Sequence, residues 1–140
     1  MDFISADVSV VEKIRSDFGG EKAGHLRFRD GFTYVALDGE RIAGFISVNI
    51  RDKTSEGYID IIEVGPDFRR RGIAKELLNL AEKESKKQGL HQIRAWSSDD
   101  KKEALAMWRK LGFQLDRQEI VSAVTKKPVT GYFAVKALGG

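Results

Sequence analysis

The chain predicts an α/β fold, with helices packed on a mixed and mostly antiparallel sheet. Three observations carry this. Runs rich in β-branched and aromatic residues recur at 32–37, 41–50 and 58–64, joined by short polar connections, as in an antiparallel meander. The third run leads through Gly65-Pro66 into a segment with helical periodicity, and a fourth β-rich run follows at 91–97. That strand–helix–strand unit has the length of a right-handed crossover between parallel strands. Finally, the 140 residues contain no repeat, low-complexity tract or linker, so residues 1–138 read as one domain with a short tail at 139–140.

In chain order, Asp7 to Phe18 reads as a helix with Val8, Val11, Ile14 and Phe18 on one side. Asp7 offers an N-cap, and Gly19-Gly20 ends the helix. Glu21 to Asp30 is charged and irregular. Asp38-Gly39-Glu40 between two β-rich runs signals a hairpin, and Gly44 inside the second run marks a bulge or a close backbone approach. Ile73, Ala74, Leu77, Leu78, Leu80 and Ala81 define a helix from about Gly72 to Lys87, stopped by Gln88-Gly89. A second helix, Lys101 to Leu111, presents Ala104, Leu105, Trp108 and Leu111 on one side and ends at Gly112. Phe113 starts a further strand. Val121 to Val124 and Gly131 to Ala137 then read as a closing hairpin around Lys126-Lys127-Pro128.

Composition excludes several function classes. Apolar content of 41% and charged content of 32% describe an ordinary globular protein. A net charge of +3 is too mild for a nucleic-acid binder, although the pI of about 9.2 is basic. With no cysteine there is no disulfide, thiolate nucleophile or cysteine metal site. His25 and His91 show no metal-ligand spacing, so no metal is expected. No signal-like segment and no span near 20 apolar residues is present, which gives the cytoplasm as the expected location and no membrane as a partner.

The chemistry concentrates at Val64 to Ala81, where V-G-P-D-F-R-R-R-G-I-A ends a strand and starts a helix. A helix start leaves backbone N–H groups without partners and a positive dipole end exposed. Gly72 has no side chain to hold an anion away from those donors, and Arg69, Arg70 and Arg71 add positive charge. Such a junction is a phosphate cradle. It is neither a P-loop nor a dinucleotide turn, since both glycine patterns are missing.

Arg69-x-x-Gly72-x-Ala74 resembles the Q/R-x-x-G-x-G/A signature of the GCN5-related N-acetyltransferases, the GNAT superfamily. Two flanking stretches extend the resemblance, in the same order and spacing. D-G-E-R-I-A-G-F-I-S-V is similar to that family's second and third strands. E-A-L-A-M-W-R-K-L-G-F is similar to its A-x-x-x-Y-x-x-x-G-F helix. Together they cover roughly residues 32 to 115.

The resemblance implies a GNAT-like sheet whose parallel strand pair splays at the cofactor site, with acetyl-CoA as co-substrate. The pantetheine arm would bond to the backbone of Ile62, Glu63 and Val64. The pyrophosphate would sit on the N–H groups from Arg70 through Gly72 and Ile73 to Ala74, with side-chain charge from Arg69 and Arg71. The implied reaction is attack of a primary amine, on a small molecule or peptide, at the thioester carbonyl. Relatives associate through sheet edges or a C-terminal strand, so monomer and homodimer are both open.

A lysine-like amine with a pKa near ~10.4 is less than ~0.1% neutral at pH 7, so it must lose a proton. Asp60 and Glu63 lie unusually within the apolar run, and some relatives carry the base about where Asp60 stands. Strict alternation puts the two on opposite faces unless a bulge intervenes, so at most one is expected to face the acceptor, and Asp60 is favoured; His91 is a distant third. Relatives often place a tyrosine, acting as acid, where this chain has Trp108, and an indole cannot supply that proton. Trp108 is therefore expected to pack against pantetheine or acetyl group, or to serve the core. Relatives also place an asparagine near the start of that helix, where Asp99, Asp100 and Lys101 stand here. The alternative to an enzyme is a non-catalytic acyl-CoA sensor or regulatory module. A nucleic-acid patch at Arg69–Arg71 would have only Phe68 interleaved for stacking.

Overall fold

A computed structural model describes residues 1–139, and Gly140, the end of the expected tail, lies outside the described residues. The sheet has seven strands in the order β1-β2-β3-β4-β5-β7-β6. These are β1 (Asp2–Ser5), β2 (Gly31–Asp38), β3 (Arg41–Arg51), β4 (Glu56–Val64), β5 (Gln92–Ser98), β6 (Gln114–Val121) and β7 (Pro128–Ala137). The helices are α1 (Val11–Phe18), α2 (Gly20–Ala23), α3 (Ile73–Lys87) and α4 (Lys102–Lys110). Every neighbouring pair is antiparallel except β4 and β5, which run parallel, as the crossover predicts.

Both faces of the central strands are covered, so β3 is buried from Ile42 through Val48. On one face Leu77, Leu78 and Ala81 of α3 pack with Ile46, Val48, Ile59, Ile93 and Trp108. On the other, Ile14 of α1 and Ala23 of α2 pack with Val35, Ile42 and Phe45, and Phe18 meets Phe45 edge-on at 5.0 Å. Full burial of a leucine or isoleucine side chain contributes about 1.5–3 kcal/mol, so two such layers hold the sheet from either side.

Hairpin chemistry is as expected. Asp38 faces Arg41, and Gly39 takes the left-handed backbone, φ +62°, that such a turn requires. Gly44 is a close approach beside a bulge. The register steps between Ala36 and Leu37, leaving Ala43 unpaired, and a Cβ on Gly44 would stand 2.7 Å from the Glu63 carbonyl oxygen. It would also stand 3.3 Å from Ile73, so α3 crosses the sheet over this glycine.

Several expectations are corrected. β1 was not anticipated: four residues pair their strand edge with β2. Asp7 does cap its helix, accepting from the Ser9 N–H at 2.9 Å, but that helix opens with a 3-10 turn at Val8–Val10. Gly19, at φ +104°, ends α1 as expected, and Gly20 then begins the short helix α2 at the start of a stretch the sequence leaves open. The closing hairpin pairs β7 with Gln114–Val121, not with Val121–Val124, and Val124 is exposed. The reason is physical: β6 is a sheet edge, almost wholly solvent-facing, so its polar Asp116-Arg117-Gln118-Glu119 carries no alternation to read. β7 also inserts between β5 and β6.

Candidate active site

β4 and β5 pair only through Glu56–Gln92, Gly57–Ile93 and Tyr58–Arg94. Beyond Tyr58 the two strands part, and the gap opens into a cleft of about 1150 Å³. Its walls are β4 from Ile59 to Val64, β5 from Ala95 to Ser98, the start of α3, and Ala104, Met107 and Trp108 of α4. Ile62, Glu63 and Val64 keep their ladder to β3, opposite Ile46, Phe45 and Gly44, while their other edge has no strand partner among the described residues. An open edge of backbone donors and acceptors can take an extended ligand as an added strand.

This edge runs to the arginine turn. Phe68 is buried and anchors a single 3-10 turn, Pro66–Phe68. Arg70 takes a left-handed φ of +64° and Gly72 one of +74°, and α3 follows without a capping side chain. The first helical bond is Glu76 N–H to the Gly72 carbonyl, so the amides of Ile73, Ala74 and Lys75 lack an intrahelical acceptor. A Cβ on Gly72 would meet nothing within 4 Å, so the space over this helix start is open. Arg69, Arg70, Gly72, Ile73 and Ala74 all line the cleft. Arg71 does not line it: its guanidinium stacks over Phe68 at 5.4 Å, as that of Arg41 does at 4.7 Å. Because Phe68 is buried, its ring is not free to stack on bases.

Asp60 and Glu63 share a side of the strand. The ladder pairs Val48 with Ile59 and Ser47 with Ile61, which leaves Asp60 as the extra residue of a bulge. Alternation therefore slips by one. Ile59, Ile62 and Val64 pack toward α3, and Ile61 packs toward α1. Asp60 and Glu63 turn to the cations of the 20–30 segment: Glu63 meets Lys22 at 3.1 Å, and Asp60 meets Arg27 Nε at 2.8 Å. The expectation of opposite faces fails for this reason.

Burial works against the charge on Arg27, yet its bonds to Asp60 and Asp30 outweigh that and raise its pKa further above the ordinary guanidinium value. His25 lines the cleft, whereas His91 does not. His91 precedes β5 at the closed end of the parallel pair, its N–H bonded to the Ser55 carbonyl, so it cannot act in the cleft. Trp108 is buried, and its indole N–H donates to Ser97 Oγ at 3.0 Å. Phe113 packs against it at 4.9 Å. At the start of α4, the Ser98 hydroxyl donates to Asp100 and holds that carboxyl below its usual pKa. Among the described residues, no group of three or more His, Cys, Asp and Glu is placed to hold a metal ion. None of the helices is long and apolar enough to cross a membrane.

The profile of the Acetyltransferase (GNAT) family matches residues 9–113. The chain belongs to the GNAT family. Two curated proteins are similar in sequence. An uncharacterised N-acetyltransferase of Methanocaldococcus jannaschii is 32% identical over 93 residues, which cover 63% of this chain and 41% of that protein. N-alpha-acetyltransferase 30 of Schizosaccharomyces pombe is 29% identical over 85 residues, 59% of this chain and 57% of that one. This GNAT chain thus matches between two fifths and three fifths of the length of these relatives. In fold it resembles an aminoglycoside 6′-N-acetyltransferase solved with coenzyme A, with a TM-score of 0.78, 14% identity, and coverage of 100% of this chain and 98% of that one.

Sequence reasoning missed Arg27, Ser97 and His25. Arg27 and His25 lie in a charged stretch without periodicity, and Ser97 is one polar residue ending a strand. Their roles arise from which strands stand beside them, which no local pattern records.

Proposed function

We propose that residues 1–138 form one acetyltransferase domain that moves an acetyl group from acetyl-CoA to a primary amine of a small molecule or peptide. The observation that carries this reading is the continuity of the free edge of β4 with the uncapped start of α3. An extended pantetheine fits the backbone of Ile62, Glu63 and Val64, and a pyrophosphate fits the amides from Arg70 to Ala74, where the helix dipole favours negative charge. Arg69 and Arg70 stand on the cleft side of that turn, and Arg71 would have to leave Phe68 to join them. The names of the sequence relatives, both N-acetyltransferases, support the same class, and the coenzyme A complex of the fold neighbour supports the ligand.

Acetyl-CoA supplies an activated thioester. The amine nitrogen forms the new bond to the carbonyl carbon, the carbon–sulfur bond breaks, and the sulfur leaves as thiolate. The ammonium proton passes to a carboxylate of β4, directly or through water. Asp60 and Glu63 are the two carboxylates on that strand lining the cleft. Trp108 forms part of the wall.

Release of free coenzyme A thiol, followed across a panel of primary amines and peptide N-termini, tests the reading. At least one acceptor is expected to release thiol in a cleft-dependent way. For the residue that takes the proton, Asp60→Asn or Glu63→Gln should lower that rate by roughly 10²–10⁴. Acetyl-CoA binding should persist in the variant. Binding without release from any acceptor would favour a second reading, an acyl-CoA sensor. The specific observation for it is Trp108, whose indole N–H is already bonded to Ser97.

A further inference from the structure

The bulge gives the cleft a carboxylate that β4 alone does not orient, and the holder comes from another element. Arg27 lies on the loop between α2 and β2, and its backbone is closed into a ring of hydrogen bonds. Its N–H donates to Ser47 Oγ at 2.6 Å, Ser47 and Thr33 hydroxyls lie 2.9 Å apart, and Thr33 Oγ1 donates to the Arg27 carbonyl at 2.8 Å. One assignment satisfies all three: Ser47 donates to Thr33, so each hydroxyl gives one proton and accepts one. Both hydroxyls are fully buried in the sheet. At the loop's end the Ile50 N–H bonds the Asp30 carbonyl, and a Cβ on Gly31 would overlap the Val48 carbonyl oxygen at 1.8 Å. The loop is therefore fastened through its backbone at Arg27 and at its end, and the Arg27 side chain adds one bond within it, to Asp30.

That leaves the guanidinium free for a different task. Nε donates to Asp60 Oδ2 at 2.8 Å and Nη1 to Asp30 Oδ2 at 2.9 Å. The Asp60 side chain is only 12% exposed, while Arg27 is 36% exposed, so the carboxylate is the enclosed partner. Asp60 Oδ1 takes no hydrogen bond among the described residues. Lys22 serves Glu63 separately.

We propose that Arg27 is a positioning residue, which fixes the bulged Asp60 carboxylate at the parting of β4 and β5 so that one oxygen is held and the other is left for the acceptor amine. The inference rests on the acetyl-transfer reading. It adds a residue from the loop between α2 and β2 to a site otherwise built on β4, β5, the start of α3 and α4.

The separation of backbone clamp from side-chain bond makes the test clean. Arg27→Ala and Arg27→Lys are compared with the natural protein, each also in an Asp60→Asn background, by thiol release. Misplacing a catalytic group by an ångström costs on the order of 10² in rate, so Arg27→Ala should lose roughly 10- to 100-fold in kcat. The acetyl-CoA thermal shift should be retained, and Arg27→Lys should recover part of the rate. In the Asp60→Asn background, Arg27→Ala should cost little more, because the two act as one unit. An independent readout needs no turnover: the Arg27 Nε–H resonance of nitrogen-labelled protein should be protected from solvent exchange, and Asp60→Asn should remove the protection. A turning-over protein whose Arg27→Ala variant keeps kcat, or whose two losses simply add, overturns the positioning role alone. So does an Nε–H that exchanges freely. If the natural protein releases no thiol with any acceptor, the acetyl-transfer reading falls and this inference falls with it.

Discussion

The Gln92 amide donates to the buried Glu56 carboxylate at 2.9 Å, across the closed end of the parallel pair that opens beyond Tyr58 into the cleft. Arg94 stands 3.5 Å and Arg51 4.0 Å from the same side chain. Glu56 thus works as a bolt at the hinge of the two strands. The distance between cofactor edge and opposite wall depends on where pairing stops, at Tyr58 and Arg94, and this cluster ties the first rung of that ladder to its last through Arg94.

Glu56→Ala is accordingly expected to act on both stability and binding. Removing one member of a buried hydrogen-bonded ionic cluster costs roughly 3–5 kcal/mol, and solvent at the partly exposed Arg94 and Arg51 reduces this to about 1–3 kcal/mol here. Urea denaturation should show that loss, with a smaller acetyl-CoA thermal shift in the folded variant. Unchanged stability would mean that the short ladder holds the strands without the carboxylate.

Gly72→Val tests the anion cradle. The variant must hold a β-branched side chain at a φ of +74°, a strain of roughly 1–2 kcal/mol, with no steric clash to add to it. Its Cβ would project over the start of α3, so ligand binding should fall far more than stability. Gly72→Asn, which tolerates the left-handed region, should keep more of both. A folded Gly72→Val protein with an undiminished acetyl-CoA thermal shift would put the phosphate site elsewhere.

What the sequence could show follows from the range of each signal. The meander, α3 and the arginine turn rest on local periodicity and punctuation, so they were legible. The bulge at Asp60 is a property of register between two strands, since Ile59 and Ile61 alone cannot tell how Val48 and Ser47 will face them. The same holds for Arg27, a cation in a charged stretch until Ser47 and Thr33 clamp its backbone. A strand from Phe113 was legible, but the length of β6 and its pairing with β7 were not, because an edge strand needs no apolar alternation. Arg71 had the charge for a phosphate ligand, but a nearby aromatic ring takes its side chain.

Alkaline pH offers a stability test with a definite sign. Burial pushes the Tyr58 phenol up; the Asp60 and Glu56 charges add to this, while Arg51 and Arg94 oppose it. The folded protein therefore prefers the neutral phenol, and the unfolded chain ionises first, near pH ~10. That contribution is complete below the unfolded value and is lost as pH rises through the folded one. Stability measured by urea should decline above pH ~10, and Tyr58→Phe should flatten part of the decline. Tyr34, also raised by burial, would carry the remainder. An identical decline in Tyr58→Phe would assign none of it to this phenol.

The last prediction concerns Trp108, where many relatives carry a phenol. Its indole N–H is bonded to Ser97 at 3.0 Å, the ring is buried, and Phe113 packs against it, so its place is that of a wall joining α4 to β5. A leaving coenzyme A thiol, comparable to a cysteine thiol of pKa near ~8.5, departs tolerably as thiolate close to neutral pH. Helix N-termini can stabilise that charge, so an acid is helpful without being required. Trp108→Phe should therefore keep most of the activity, losing the Ser97 bond and some stability. Trp108→Ala should lose roughly 3–5 kcal/mol of stability, and its activity with it, through the widened wall. Trp108→Tyr should give at most a modest gain, and the pH–rate profile of the natural protein should show no basic limb belonging to this position. A gain of orders of magnitude in Trp108→Tyr would instead mean that proton delivery to the thiolate limits the rate. The bond from Trp108 to Ser97 would then mark a site that has traded catalysis for binding.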